Sequence, residues 1–355
     1  MSVRVTHAFR TALVGGLLVL SAAACTTAGG ANPPGPVPAR STARPQYVAL
    51  AEAVVAQDAT AWVETDLLAA WLEGPARYEA VLATVNQLAD RPGVGGVKIA
   101  DELGYDDGTD PATALAFLKA TTAALHARLP GRKVLIDVIV PQLGCLGWQR
   151  EAAPTQAGVG GAEAIDTVSS SRTECAAREV SNNPATSLSA VDAYVAQGGL
   201  DVMDLSAGLR SSAEYAAWGT TRDEAMAAAW DEASRRWGGT VRLQARKALA
   251  HPGRYDGTAA DAAADVRTFV DIPLAHGAKA VDIWAWSQPY KGGTYTIMDP
   301  GLQPNQLVEA LRTRRERGAE LWTHMTPSSL HVGLEADVKE ALTMFGTVFV
   351  ASGTG

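Results

Sequence analysis

Eight short β-rich runs, each followed by a longer stretch with helical periodicity or a turn-rich connection, constrain this chain more than any other feature. The strand candidates are Ala61 to Asp66, Gly96 to Glu102, Lys133 to Val140, Leu200 to Ser206, Thr240 to Arg246, Ala280 to Ser287, Ala319 to His324 and Gly346 to Ala351. Helical candidates lie at Pro75 to Leu88, Pro111 to Leu129, Ser187 to Gln197, Thr221 to Trp237, Thr258 to His276, Pro304 to Arg317 and Leu334 to Met344. Such alternation belongs to a mostly parallel sheet with helical crossovers, and eight strands favour a closed (β/α)8 barrel of the α/β class. The seven helices are one short, and Pro45 to Ala56, with Tyr47, Leu50, Ala51 and Val54 on one face, is expected to stand in for the last. An incomplete barrel is the alternative. A doubly wound dinucleotide fold is disfavoured, because no G-x-G-x-x-G turn follows the first strand. The clusters at Gly93 to Gly96 and Gly158 to Gly161 read as turns.

The segment ahead of the first helix has a different character. Arg4 and Arg10 precede the apolar run Thr11 to Leu20 and the small residues Ser21 to Ala24, the three parts of an export signal. The apolar run is too short to span a bilayer core of about 30 Å comfortably. Leu20-Ser21-Ala22-Ala23-Ala24-Cys25 resembles the lipobox of bacterial lipoproteins, with Ala22 where that family usually has leucine. The resemblance implies that residues 1–24 are removed and that Cys25 carries the lipid, facing the outside of the cytoplasmic membrane; plain secretion is the alternative. Residues 25–45 then form a Pro-, Gly- and small-polar tether, leaving residues 46–355 for one barrel domain. At 47% hydrophobic residues overall, a large core is available.

The formal charge of −8, with no lysine- or arginine-rich run, argues against a nucleic-acid partner. With Cys25 assigned to lipid, Cys145 and Cys175 remain as a pair in an oxidising compartment, and a disulfide is expected. Both fall in the long connection 141–185 after the third strand, a loop that in a barrel overhangs the active-site face.

Barrel chemistry sits at the C-terminal ends of strands, and these ends are acidic. Alternation in the second strand puts Lys98, Ala100 and Glu102 on the barrel side, with Asp101 beside them. Asp137 lies in the third strand and Asp204 near the end of the fourth. In the sixth, Asp282, Trp284, Trp286 and Gln288 share a face, and indoles offer platforms for sugar rings. Trp284 suits a core position better, whereas Trp286 fits platform and core equally. Carboxylates together with indoles point to glycoside hydrolysis, with Glu102 as acid/base, Asp204 as its partner, and Asp101 and Asp137 in reserve. Lys98, Asp282, Trp284, Trp286, Gln288 and Arg246 are candidate substrate contacts. Arg246 and Lys247 suit an anionic substituent, although ion-paired or solvated cations are the commoner finding. His324, ending the seventh strand, is the one histidine placed for a site.

The pattern resembles the barrel glycoside hydrolases as an architecture. Their paired acids on strands four and seven are half matched, by Asp204, since Glu320 sits too early in its strand. The resemblance implies a carbohydrate substrate and neither metal nor cofactor. A non-catalytic glycan-binding lipoprotein with the same cleft is the rival reading. No H-E-x-x-H, G-x-S-x-G or C-x-x-C motif supports a zinc peptidase, α/β-hydrolase or cysteine-zinc site. Mass spectrometry of the mature N-terminus should find a lipid-modified Cys25; an unmodified chain beginning elsewhere overturns the lipoprotein expectation.

Overall fold

The computed structural model describes residues 43–105, 107–149 and 162–353. The expected export signal at residues 1–24, Cys25 and the tether as far as residue 42 lie outside the described residues, as does part of the 141–185 connection.

Eight parallel strands form the barrel: β1 (Thr60–Glu64), β2 (Val94–Lys98), β3 (Lys133–Ile139), β4 (Val202–Ser206), β5 (Arg242–Ala248), β6 (Val281–Tyr290), β7 (Leu321–Met325) and β8 (Thr347–Ala351). Each bonds to the next in chain order, and β8 returns to β1, so the ring is closed. All eight expected strands are present. Register fixes what fills the ring. The in-register partner of Glu64 is Lys98, whose partner is Leu135, and two residues further up β3 stands Asp137. Repeating that step leads to Arg246, then His324, then Glu64 again. Two residues for every two strands amount to a stagger of eight around the ring, the geometry in which alternate strands supply four side chains to each interior layer.

The layers differ sharply in chemistry. At the base, Arg242 pairs with Glu320 at 2.8 Å, and Glu320 also accepts from the Trp322 indole. Above it Trp62, Leu135, Val202, Ala280, Trp322 and Phe349 form a small apolar cluster inside the barrel. The next two layers upward are Lys98, Asp204, Asp282 and Phe349, then Glu64, Asp137, Arg246 and His324. Seven of these eight residues are ionisable. The hydrophobic core proper lies outside the strands, where outward-facing Val63, Val97, Ile136, Leu205, Leu243 and Ile283 meet the helices.

Local sequence explains the helices. Asp110 caps Pro111–Arg128 by accepting from Ala112 and Thr113, and Thr221 with Glu224 forms a reciprocal capping box on Arg222–Trp237. Helix Pro45–Val55 packs on β1, β8 and helix Leu334–Ala341, filling the place expected for it. The stretch expected as one helix from Thr258 to His276 is instead interrupted. Ala259–Val266 leads through a π-helical turn, Arg267–Asp271, into Ile272–Ala275. Pro273 is the cause, because it has no N–H for the Phe269 carbonyl and its ring crowds that carbonyl. Unanticipated helices include Leu67–Glu73, capped by Asp66, and Ala162–Asn182 within the long connection. Among the described residues, no helix is long and apolar enough to cross a membrane.

Cys145 and Cys175 are bonded, with Cα atoms 5.6 Å apart, joining the short helix Pro141–Cys145 to Ala162–Asn182. Tyr215 and Trp218 pack around the bridge, and the Tyr215 hydroxyl donates to the Gly144 carbonyl at 2.8 Å. The bridge spans 30 residues, and a loop of that length loses about 3–4 kcal/mol of unfolded-state entropy on closure. The Cys145→Ser, Cys175→Ser double variant should lose stability of that order in denaturant titration. An unchanged midpoint would contradict it.

Candidate functional site

Lys98 is the centre of the upper barrel. Its ammonium, fully buried, donates to Glu64 Oε1 at 3.0 Å and Asp101 Oδ1 at 2.8 Å, with Asp137 Oδ2 at 3.4 Å. The two bonded oxygens are therefore no more than 5.8 Å apart, the sum of the two bonds. Arg246 is a second hub: Nε lies 2.6 Å from Asp137, NH1 2.7 Å from Glu102 and NH2 3.2 Å from Asp101. Burial alone would discharge Lys98, but Asp101, Glu64 and Asp137 outweigh it and hold the ammonium well above its ordinary range. The same reciprocity keeps Asp101 ionised: burial raises it, and Lys98 and Arg246 bring it far below the usual carboxylate range. Asp137 goes the other way, since complete burial pushes it well up against the pull of Arg246 and Lys98.

His324 links the two layers. Its Nδ1 lies 2.9 Å from Glu64 Oε2 and its Nε2 2.8 Å from Asp282 Oδ2, so the fully buried ring joins two carboxylates. Burial disfavours the imidazolium, yet Asp282 and Glu64 raise it to about 9. Glu64, opposed by burial but held by His324 and Lys98, is lowered to about 2. Asp204 takes a bond from Gln244 Nε2 at 2.7 Å and is pushed up to about 7 by burial and then by the charge of Asp282.

Over this floor stands the aromatic part. Trp284 belongs to the topmost interior layer, and its indole N–H donates to Gln288 Oε1, while Gln288 Nε2 donates to Glu64 Oε2 at 3.3 Å. Tyr290 and Tyr295 pack on Trp284 with ring centroids 5.3 and 5.9 Å away. Tyr295 belongs to a short strand, Gly293–Thr296, that folds back antiparallel on β6. Trp286 does not share this face, contrary to the alternation expected from sequence. Four steps along β6, from Ile283 to Ser287, match two along β7, and this irregularity re-aims the side chain. Trp286 is fully buried, donating to Asp337 at 3.0 Å and packing edge-on with His331.

Of the residues expected from sequence, Lys98, Asp101, Glu102, Asp137 and Arg246 are joined in one ionic network. Asp282 reaches it through His324 and Glu64. Glu102 and Asp204 are not paired with each other. β2 ends at Lys98, and Glu102 lies beyond it with a φ of 47°, held by Arg246 on the rim. Asp204 sits fully buried in the layer below Arg246. Sequence reasoning passed over Glu64 as a site residue, although it shares a strand face with inward-facing Trp62; it also passed over Gln244. Among the described residues, the one grouping of metal-ligand types is Cys145, Cys175 and Glu179, and its two sulfurs are joined in the disulfide.

No protein-family model matches the chain, and no curated protein matches it. Solved structures similar to it include a family 18 chitinase from Crocus vernus, with 10% identity over 83% of this chain and 94% of that one, TM-score 0.39. Xylanase B from Clostridium stercorarium F9 has 12% identity over 85% and 88%, TM-score 0.43. A probable tagatose 6-phosphate kinase from Sinorhizobium meliloti 1021 has 13% identity over 82% and 64%, also 0.43. Likenesses this distant carry no argument about activity.

The buried titrations set the stability profile. His324, raised from 6.5 to about 9, contributes fully below pH 6.5, and the contribution is lost as pH rises through 9. Asp204, raised from 3.8 to about 7, makes stability fall as pH rises from 3.8 to 7. Glu64, lowered from 4.5 to about 2, contributes above 4.5 and loses that contribution as pH falls through 2. Unfolding free energy should therefore peak in mild acid and decline towards pH 9, at up to about 1.4 kcal/mol per pH unit for each titrating group. Asp204→Asn should flatten the lower part of the decline and His324→Gln the upper. A wild-type profile level from pH 4 to 9 would refute this.

Proposed function

We propose that the protein is a glycoside hydrolase, exported and tethered through Cys25, that takes a carbohydrate at the barrel mouth. The observation that carries the reading is Glu64: an ionised carboxylate, its side chain 16% exposed, lying under Trp284 and bonded to it through Gln288. Trp284 with Tyr290 and Tyr295 offers flat apolar rings with polar edges for a sugar ring, and the floor offers hydroxyl acceptors. Lys98 and His324 hold Glu64 ionised, which suits a nucleophile or base and disqualifies it as proton donor. Asp101, bound to both cations, is likewise no donor. Asp137 and Asp204 hold protons more readily but have no exposed surface. Glu102, half-buried on the rim, is the remaining mouth carboxyl among the described residues, and the proposal assigns it the acid role at the leaving oxygen.

A second reading, a non-catalytic glycan-binding protein, is favoured by one observation. Glu64, Asp101 and Glu102 all already face a cation within 3.2 Å. The two readings separate cleanly on a panel of glycans. For an enzyme, Glu64→Gln and Glu102→Gln should each lower kcat by about 10²-fold or more with glycan binding retained, and Trp284→Ala should mainly raise KM. Binding without turnover by the wild-type protein would leave the binding reading standing. Neither binding nor turnover on any glycan would sink both.

A further inference from the structure

A cavity of about 230 Å³ lies beside the mouth, between the C-terminal ends of β4 and β5 and the helices Arg222–Trp237 and Ile272–Ala275. Leu205, Met226, Trp230 and Phe269 supply much of its apolar wall, and its charged groups are Arg222, Arg246 and Lys247. Among the described residues no acidic side chain lines it, although the chain as a whole carries a formal charge of −8. Arg246 is committed to Asp101, Glu102 and Asp137. Arg222 and Lys247 have no carboxylate oxygen within the 4.0 Å of an ion pair among the described residues, and Arg222 Nε is buried without a hydrogen-bond partner. Both cations lie over the Phe269 ring, at 4.8 and 4.4 Å from its centroid, and so are no more than 9.2 Å from each other.

Two partly buried like charges without an ion-pair partner among the described residues, with Asp265 acting on Lys247 only from beyond ion-pair distance, are an unfavourable arrangement that the ring compensates only in part. An anion between them would remove the repulsion and satisfy their donors. Phe269, which positions both, stands on the π-helical turn imposed by Pro273, a type of irregularity that recurs at functional sites. Burial and then the charge of Arg222 pull the Lys247 ammonium below its ordinary range. A bound anion would reverse that pull.

We propose that this cavity binds an oxyanion, a carboxylate or phosphoryl group carried by a small ligand, with Arg222 and Lys247 as counter-ions and the Ser206 hydroxyl as a further donor. The guanidinium supplies a planar fork and the ammonium a mobile point charge, complementary ways of holding such a group. The site stands on its own residues and does not require the carbohydrate reading, so an inactive glycan panel leaves it untouched.

The test titrates the whole protein with inorganic phosphate and, separately, glucuronate, at an ionic strength held constant with chloride. Thermal unfolding is followed together with tryptophan fluorescence, since Trp230 lines the cavity. A saturable rise in Tm that glucose does not produce is expected, with Lys247→Met and Arg222→Gln each weakening apparent affinity at least ten-fold. Response to both anions supports recognition of the oxyanion itself; response to glucuronate alone supports a carboxylate carried on a sugar. Without anion, Lys247→Met should melt no lower than wild type, because it removes an unpaired charge. A lower Tm would make Lys247 a structural cation and overturn the site, as would unchanged affinity in the variants or no saturable effect of either anion.

Discussion

An ammonium with no solvent exposure in the middle of a barrel must be neutralised by its neighbours, and the upper half of this protein is organised around that requirement. Lys98 draws Glu64, Asp101 and Asp137 towards one point. Those acids need further partners in turn, which Arg246 and His324 provide from the opposite wall. Removing Lys98 or Arg246 would strip buried carboxylates of a counter-charge, and breaking a buried pair in this way typically costs about 3–5 kcal/mol. The network is therefore cooperative: its members hold each other's protonation states as well as positions.

Such an interior is not what stability alone would select. Buried ion pairs replaced by well-packed apolar side chains are often as stable or more so, and barrels usually fill these layers with Val, Ile and Leu. Here apolar filling inside the ring is concentrated in the lower levels, around Trp62, Leu135, Val202 and Trp322, with Phe349 and Trp284 the apolar side chains higher up. The change from indole and aliphatic carbon to carboxylate and ammonium occurs across one layer, at the level of Phe349, whose ring is stacked on His324 and lies 5.6 Å from the Lys98 ammonium.

The sequence made the architecture legible because strand periodicity and helix caps are local. Asp110, Thr221 and Ser187 announce their helices within three residues. The site was harder to read because its bonds are not local: His324 meets Glu64 across 260 residues and Arg246 meets Glu102 across 144. Alternation held through Lys98 and then failed at Glu102, where the backbone leaves the strand for a left-handed turn. It failed again at Trp286, where β6 slips against β7. No feature of the Trp284-Ala285-Trp286 stretch taken alone reveals that slip, since it is defined by the neighbouring strand.

The stagger of eight has one more consequence. Strands tilted to that degree leave no bore through the middle: indoles and the Arg242–Glu320 pair plug the lower end, and side chains fill every level above. The interior is a well closed at the bottom. Among the described residues, Arg246 and the imidazole of His324 occupy the layer directly above Asp204, so those two groups stand between that deep carboxyl and the mouth of the barrel.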